Sequence, residues 1–298
     1  MKILVTGGNG LVGSHFIENY PNALGNTVLS PNREQLDITM LDSVENFFKL
    51  HNPDVVIHFA GFTDVSKAED ERDNKGGACW TTNVGGTSNL VKAAGKKSAF
   101  FIFISTDNVF SGNKQNPGPY YEDFPIEENS NLLSWYGWTK AEAENIVKTT
   151  LANFVILRIS NPIRARYDLK LDYARKIINL FDQDKLYPMF EDQYLTLTYI
   201  NEVTEILKII LEKWLTGIFH VSSKNLFTPY KLANFLIEKA RGKKQAVRPI
   251  SIEDFLKINP SRYPHYGGLK VDRTEKLLDL KLNTWEETLT AIVKQWSV

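Results

Sequence analysis

The chain opens on a short apolar run, Lys2-Ile-Leu-Val5, that breaks at Thr6-Gly7-Gly8-Asn9-Gly10-Leu11-Val12-Gly13. A helical pattern with Ile17 on its apolar face follows. Thr27-Val-Leu-Ser30 reads as a second strand, and residues 42–50 place Val44, Phe47, Phe48 and Leu50 on one side of a helix. Asp54-Val-Val-Ile-His-Phe-Ala60 is unbroken enough to be buried on both faces. Residues 82–94 predict a helix, 100–105 a strongly apolar strand, 136–149 a helix and 154–158 another strand. Such alternation predicts an α/β fold with a doubly wound, Rossmann-like parallel sheet. Ligands of such sheets lie beyond the carboxyl ends of the strands.

After Arg158 the alternation is irregular. Helices are expected over 173–182, 230–241 and 285–296, a strand and helix over 198–215, and a strand over 217–222. The reading is a nucleotide-binding domain of 1–160 plus about 196–220. A smaller C-terminal α/β substrate lobe takes up about 161–195 and 221–298.

Composition adds exclusions. Hydrophobic residues make up 43% and charged residues 23% of 298, and the formal net charge is zero. Nothing invites nucleic acid or an anionic membrane as partner. No apolar stretch reaches the length of a membrane span, and the N-terminal run is short for a signal peptide. Cys79 is the single cysteine, so no intrachain disulfide can form, and a cytoplasmic setting is expected. The five histidines (15, 51, 58, 220 and 265) show no metal-ligand spacing, so no metal is expected.

The candidate chemistry sits at strand ends. Gly7, Gly10 and Gly13 are spaced G-x-x-G-x-x-G between a strand and a helix. Glycines there allow a tight turn and close approach of a pyrophosphate to the helix N-terminus, with Leu11 and Val12 beside it. Where a ribose-binding acid would end the second strand stand Ser30, Pro31, Asn32 and Arg33. Arg33 suits the extra phosphate of NADP, so NADPH is expected, with NADH possible. Tyr136 and Lys140 lie four apart on one helix face. An ammonium beside a phenol would lower the Tyr pKa and make a proton donor for a ketone. The same spacing at Tyr266 and Lys270 encloses Gly267 and Gly268, which argue against a helix.

Together these segments resemble the extended short-chain dehydrogenase/reductase family, and within it the dTDP-4-dehydrorhamnose reductase branch, over nearly the whole chain. Leu36-Asp37-Ile38-Thr39 is similar to a Leu-Asp-Ile-Thr segment of that branch, which implies that Asp37 and Ile38 lie by the adenine. Phe59-Ala60-Gly61-Phe62-Thr63 resembles its cofactor loop, implicating Ala60, Gly61 and Thr63. Lys67-Ala-Glu69 and the helical Asn83 also match, Asn83 as a cofactor-side residue. Ser105-Thr106-Asp107-Asn108-Val109-Phe110-Ser111-Gly112 is similar to Ser-Thr-Asp-Tyr-Val-Phe-x-Gly. Pro119-Tyr120 with Glu122, and Asp192-Gln193-Tyr194 before Thr198-Tyr199, are further points of likeness.

The resemblance implies an NAD(P)H-dependent reductase of a nucleotide-linked 4-keto-6-deoxy sugar. Thr106, Tyr136 and Lys140 would be catalytic, Tyr136 and Lys140 also cofactor-binding. Thr106, Asp107, Asn161 and Arg262 would face the substrate. A homodimer is implied by analogy. Departures fall on the substrate side. Asn108 replaces a Tyr, Asn161 a Trp, Ser66 an Asp and Leu197 a Pro, and residues 162–172 do not fit the family's loop. Two alternatives stay open. One is an epimerase or dehydratase that recycles a tightly held NAD. The other is a cofactor-binding regulatory subunit like the β subunit of methionine adenosyltransferase.

Overall fold

The computed structural model describes residues 1–20, 25–258 and 263–296. The chain runs β1 (Lys2–Thr6), α1 (Leu11–Asn19), β2 (Thr27–Leu29), α2 (Leu41–His51), β3 (Val55–His58), α3 (Val65–Asp70) and α4 (Ala78–Trp80). A π-helical stretch, Thr81–Gly86, leads without a break into α5 (Thr87–Lys97). Then come β4 (Phe100–Thr106), α6 (Trp135–Thr150), β5 (Phe154–Ile159), β6 (Pro162–Ile163), α7 (Tyr173–Asp182), β7 (Met189–Phe190) and β8 (Thr198–Tyr199). The last elements are α8 (Ile200–Lys213), β9 (Gly217–Val221), α9 (Pro229–Arg241), β10 (Pro249–Ile250), α10 (Glu253–Ile258), α11 (Asp272–Leu278) and α12 (Trp285–Trp296).

The central sheet has six strands in the order β2-β1-β3-β4-β5-β9. It is the parallel, Rossmann-like α/β sheet that the alternation predicts. β1 pairs in parallel with β2 on one side and β3 on the other, and β3 with β4. The chain therefore reverses its direction of travel across the sheet between β1 and β3. In open α/β sheets that switch point is where ligands bind. The glycine turn after β1 and the loop after β3 both leave the sheet there.

Two compact units divide the chain. The first comprises 1–109, 126–158 and 204–219. Its core packs Leu4, Val56, Phe101, Phe103 and Ile156 of the sheet against Leu90, Ala94, Ala143 and Val147 of α5 and α6. Every residue of β4 is buried, which explains its uninterrupted apolar run. The second unit comprises 110–125, 159–203 and 220–298. Its core joins Ile177, Leu232, Leu236, Phe227, Trp285 and Leu289. It carries two small parallel pairs, β6 with β8 and β7 with β10. By their contacts, 110–125 and 196–203 group with this second unit, whereas the sequence reading puts them with the first.

No helix among the described residues is long and apolar enough to cross a membrane. Nor do they hold a cluster of His, Cys, Asp and Glu fit for a metal.

Candidate active site

The turn from β1 into α1 is closed by the Gly10 N–H, which donates to Gly7 O at 2.9 Å. Gly7 has φ +71°, and a Cβ on it would sit 2.5 Å from Ala60 N. A Cβ on Gly13 would sit 2.5 Å from Gly7 O. Both positions therefore exclude any larger residue, and the turn lies backbone-to-backbone on the loop after β3. Gly10 caps α1 without a side-chain hydrogen bond. This narrow glycine cradle at the switch point fits a dinucleotide pyrophosphate.

Around it, Arg33 is exposed and its Nε lies 3.2 Å from Asp37 Oδ2. Asp37 also accepts from the N–H and hydroxyl of Thr39, whose hydroxyl bond is the main cause of its lowered pKa. Ile38 is buried against Gly86, where a Cβ would come within 2.7 Å of Ile38 Cδ1. Ala60 and Gly61 are half-buried and Thr63 is exposed. Their loop is fastened by Asn83, whose Oδ1 accepts from Phe62 N at 2.7 Å. Asn83 Nδ2 donates to Phe62 O and to Thr139 Oγ1. Asn83 thus ties the loop after β3 to α6.

α6 begins at a Ser134 cap, whose hydroxyl accepts from Gly137 N. Glu69 of α3 accepts the Trp135 N–H at 2.9 Å and pairs with Arg72, which donates to Leu133 O at 2.8 Å. Trp80 stacks on the buried Trp135. The first turn of α6 is therefore held from outside, and it presents Tyr136 to the end of β4. There Thr106 lies beside the Tyr136 phenol and acts to lower its pKa. Thr106 Oγ1 is also 3.2 Å from Asp107 Oδ1 and 3.0 Å from Asn108 Nδ2.

Lys140 requires a correction. The spacing implies an ammonium that lowers the Tyr136 pKa, yet in the structure that pKa is raised. Burial is the main cause, offset by Thr106 and reinforced by Asp107 and Cys79. The Lys140 ammonium donates to Ile104 O at 2.7 Å and lies 3.8 Å from the centre of the Phe103 ring. Burial pushes its pKa down to about 7, against the opposing pull of Glu144.

Beneath Lys140 lies a network that the sequence reading did not pick out. Glu144 and Arg158, 0% and 1% exposed, form a two-pronged ion pair at 2.9 and 2.8 Å. Ser105 donates to Glu144 Oε1 at 2.6 Å, and Lys148 lies 3.1 Å from Oε2. Burial alone would raise the Glu144 carboxyl, but Arg158 wins and holds it at about 2. The signals were present: Tyr136, Lys140, Glu144 and Lys148 form a stripe at i, i+4, and Arg158 ends an apolar strand. His58 is a further buried polar residue, between the hydroxyls of Thr6 and Thr87. Burial and the Lys140 charge push its pKa down to about 3.

Thr106, Asp107, Tyr136, Lys140 and all the residues expected to hold the cofactor thus belong to the first unit. Asn161 belongs to the second, at φ +43°, with its amide on Ser160 Oγ and Thr196 O. Arg262 lies outside the described residues.

Comparison with known proteins places this geometry. The profile of the RmlD substrate binding domain family matches residues 1–298. A dTDP-4-dehydrorhamnose reductase of Sinorhizobium fredii is 27% identical over 304 residues, covering 98% of this chain and 97% of that one. The crystal structure of dTDP-4-dehydrorhamnose reductase from Bacillus anthracis in complex with NADP superposes with a TM-score of 0.85, at 25% identity over 99% of each chain. The methionine adenosyltransferase 2 subunit beta of Mus musculus is 25% identical over 272 residues, 84% of this chain and 75% of that one. Glycine turn, loop clamp and Thr–Tyr–Lys set thus run through a chain that belongs to the RmlD substrate binding domain family, RmlD-like reductases of the extended short-chain dehydrogenase/reductase type.

Proposed function

We propose that this chain reduces the keto group of a nucleotide-linked 4-keto-6-deoxy sugar, dTDP-4-dehydrorhamnose foremost, with NADPH. The observation that carries the reading is the Tyr136 phenol on the first turn of α6, with Thr106 of β4 beside it. It lies in the same unit as the Gly7–Gly13 cradle.

Gly7, Gly10, Leu11, Val12 and Gly13 would hold the pyrophosphate of the cofactor, Arg33 its extra phosphate, and Asp37 and Ile38 the adenine. Ala60, Gly61, Thr63 and Asn83 would flank its middle, and Lys140 its nicotinamide ribose. When bound, NADPH supplies a hydride to the keto carbon. The residues of the chain answer the negative charge that develops on the keto oxygen. Thr106 donates a hydrogen bond to it and Tyr136 delivers the proton. The raised pKa of Tyr136 suits this direction, because the phenol stays protonated until the alkoxide forms.

Mixing the protein with NADPH and dTDP-4-dehydrorhamnose should give oxidation of the reduced cofactor that depends on the sugar. Tyr136→Phe should lower kcat by about 10²–10⁴-fold, the usual range for a general acid. NADPH affinity should stay nearly unchanged. Full activity in that variant would remove Tyr136 from the mechanism. The likeness to a methionine adenosyltransferase subunit supports one competing reading, a cofactor-binding regulatory subunit. Tight NADPH binding without turnover of any nucleotide keto sugar would favour it. Turnover without net release of oxidised cofactor would favour an epimerase or dehydratase.

A further inference from the structure

Asn108 follows Thr106 and Asp107 at the end of β4, and its side chain touches both. Its Nδ2 lies 3.0 Å from Thr106 Oγ1 and 3.1 Å from Asp107 Oδ1. A carboxylate oxygen only accepts, so the amide atom facing Asp107 is the nitrogen, and the orientation of the amide is fixed. Its second hydrogen goes to Thr106 Oγ1. The backbone N–H of Asn108 also points at Thr106 Oγ1, at 3.2 Å.

A hydroxyl has two lone pairs and one hydrogen. Asn108 occupies both lone pairs of Thr106. The Thr106 hydrogen must then be donated elsewhere, and it goes to Asp107 Oδ1 at 3.2 Å. A free lone pair on Thr106 would let the hydroxyl accept as well as donate, and Asn108 removes that option.

We propose that Asn108 is a positioning residue that locks the Thr106 hydroxyl as a one-way donor, its hydrogen resting on Asp107 Oδ1 and turned to the keto oxygen when the sugar binds. This rests on the reductase reading above and adds a role at the same site. In the proton-transfer half of the reaction the Tyr136 O–H bond breaks and an O–H bond forms on the former keto oxygen. The negative charge passes from the former keto oxygen, which Thr106 hydrogen-bonds, to the Tyr136 phenolate. Asn108 stands where the resembling segment of the family has Tyr, so the lock comes from this chain's own sequence.

Two measurements test it. Neutron diffraction from crystals of the whole chain exchanged into heavy water reads the hydrogen positions directly. Two deuterons should lie on Asn108 Nδ2, toward Asp107 Oδ1 and Thr106 Oγ1, and the Thr106 deuteron should point away from residue 108. A Thr106 deuteron aimed at the Asn108 side chain overturns the proposal.

The second measurement is kinetic, on Asn108→Ala and the near-isosteric Asn108→Asp, which puts an acceptor where the donor stood. The kcat should fall about tenfold in the first, the scale of one neutral hydrogen bond, and further in the second. KM for the sugar and Kd for NADPH should hold within about twofold. The solvent deuterium isotope effect on kcat should grow as proton transfer becomes slower. Wild-type kcat and isotope effect in both variants, or a loss of kcat that only follows a loss of folding stability, would defeat the idea. If the wild-type chain turns over no keto sugar, the reductase reading fails by itself, and the neutron map still decides the lock.

Discussion

Glu144→Gln is the sharpest test of what holds the site together. The substitution keeps the shape and one acceptor oxygen, but removes the charge that faces the 1%-exposed Arg158. Breaking one side of a buried pair leaves an uncompensated ion, at a cost of about 3–5 kcal/mol. Because Gln still accepts from Arg158 or Ser105, the lower figure applies, about 3 kcal/mol. For a unit of this size the thermal midpoint should fall by about 6–12 °C, at 2–4 °C per kcal/mol. Tryptophan fluorescence is a suitable probe, since Trp135 and Trp138 sit on the same helix.

The pH dependence supplies an independent sign. The Glu144 carboxyl is held at about 2 in the folded state, against an ordinary 4.5. A depressed carboxyl stabilises the fold fully above its ordinary value and loses that contribution as pH falls through the folded value. The gap between wild type and variant should therefore be widest above about pH 5 and close toward about pH 2. Replacing both partners by apolar residues, Glu144→Leu with Arg158→Met, should recover much of the loss. A Glu144→Gln midpoint within about 1 °C of wild type, well under the scale for a buried pair, would refute the reasoning. So would a gap that does not change with pH.

Three further outcomes follow from the same geometry. Gly7→Ala puts a Cβ 2.5 Å from Ala60 N at a residue with φ +71°, and should weaken NADPH binding at least about tenfold, 1.4 kcal/mol, in a fluorescence titration. Asn83→Ala strands the Phe62 N–H and frees the loop from Thr139, and should cost about 1–3 kcal/mol in chemical unfolding. His58, pushed down to about 3 by burial and Lys140, should show no NMR titration between about pH 5 and 8. Because its folded pKa lies below the ordinary 6.5, its contribution makes the fold less stable as pH drops from 6.5 toward 3.

What was legible in the chain was whatever depends on spacing along it. The glycine turn could be read because only glycine tolerates the φ of Gly7 and the approach of Ala60. The buried strand Phe100–Thr106 could be read because a parallel strand covered on both faces has no polar side to show. The short elements β6, β7 and β10 could not, since two residues carry no period and each pairs with a strand distant in sequence. Tyr136 and Lys140 mark the boundary between the two cases. Their spacing correctly places them one turn apart on α6, but says nothing of what lies behind that face. A carbonyl from β4 and the Phe103 ring take the ammonium, so burial, unopposed by that charge, decides the Tyr136 pKa. A helix period names the side chains that share a face, and the strand packed beneath decides which of them meet. The pull that lowers the Tyr136 pKa comes instead from Thr106, a residue the strand delivers from thirty positions upstream.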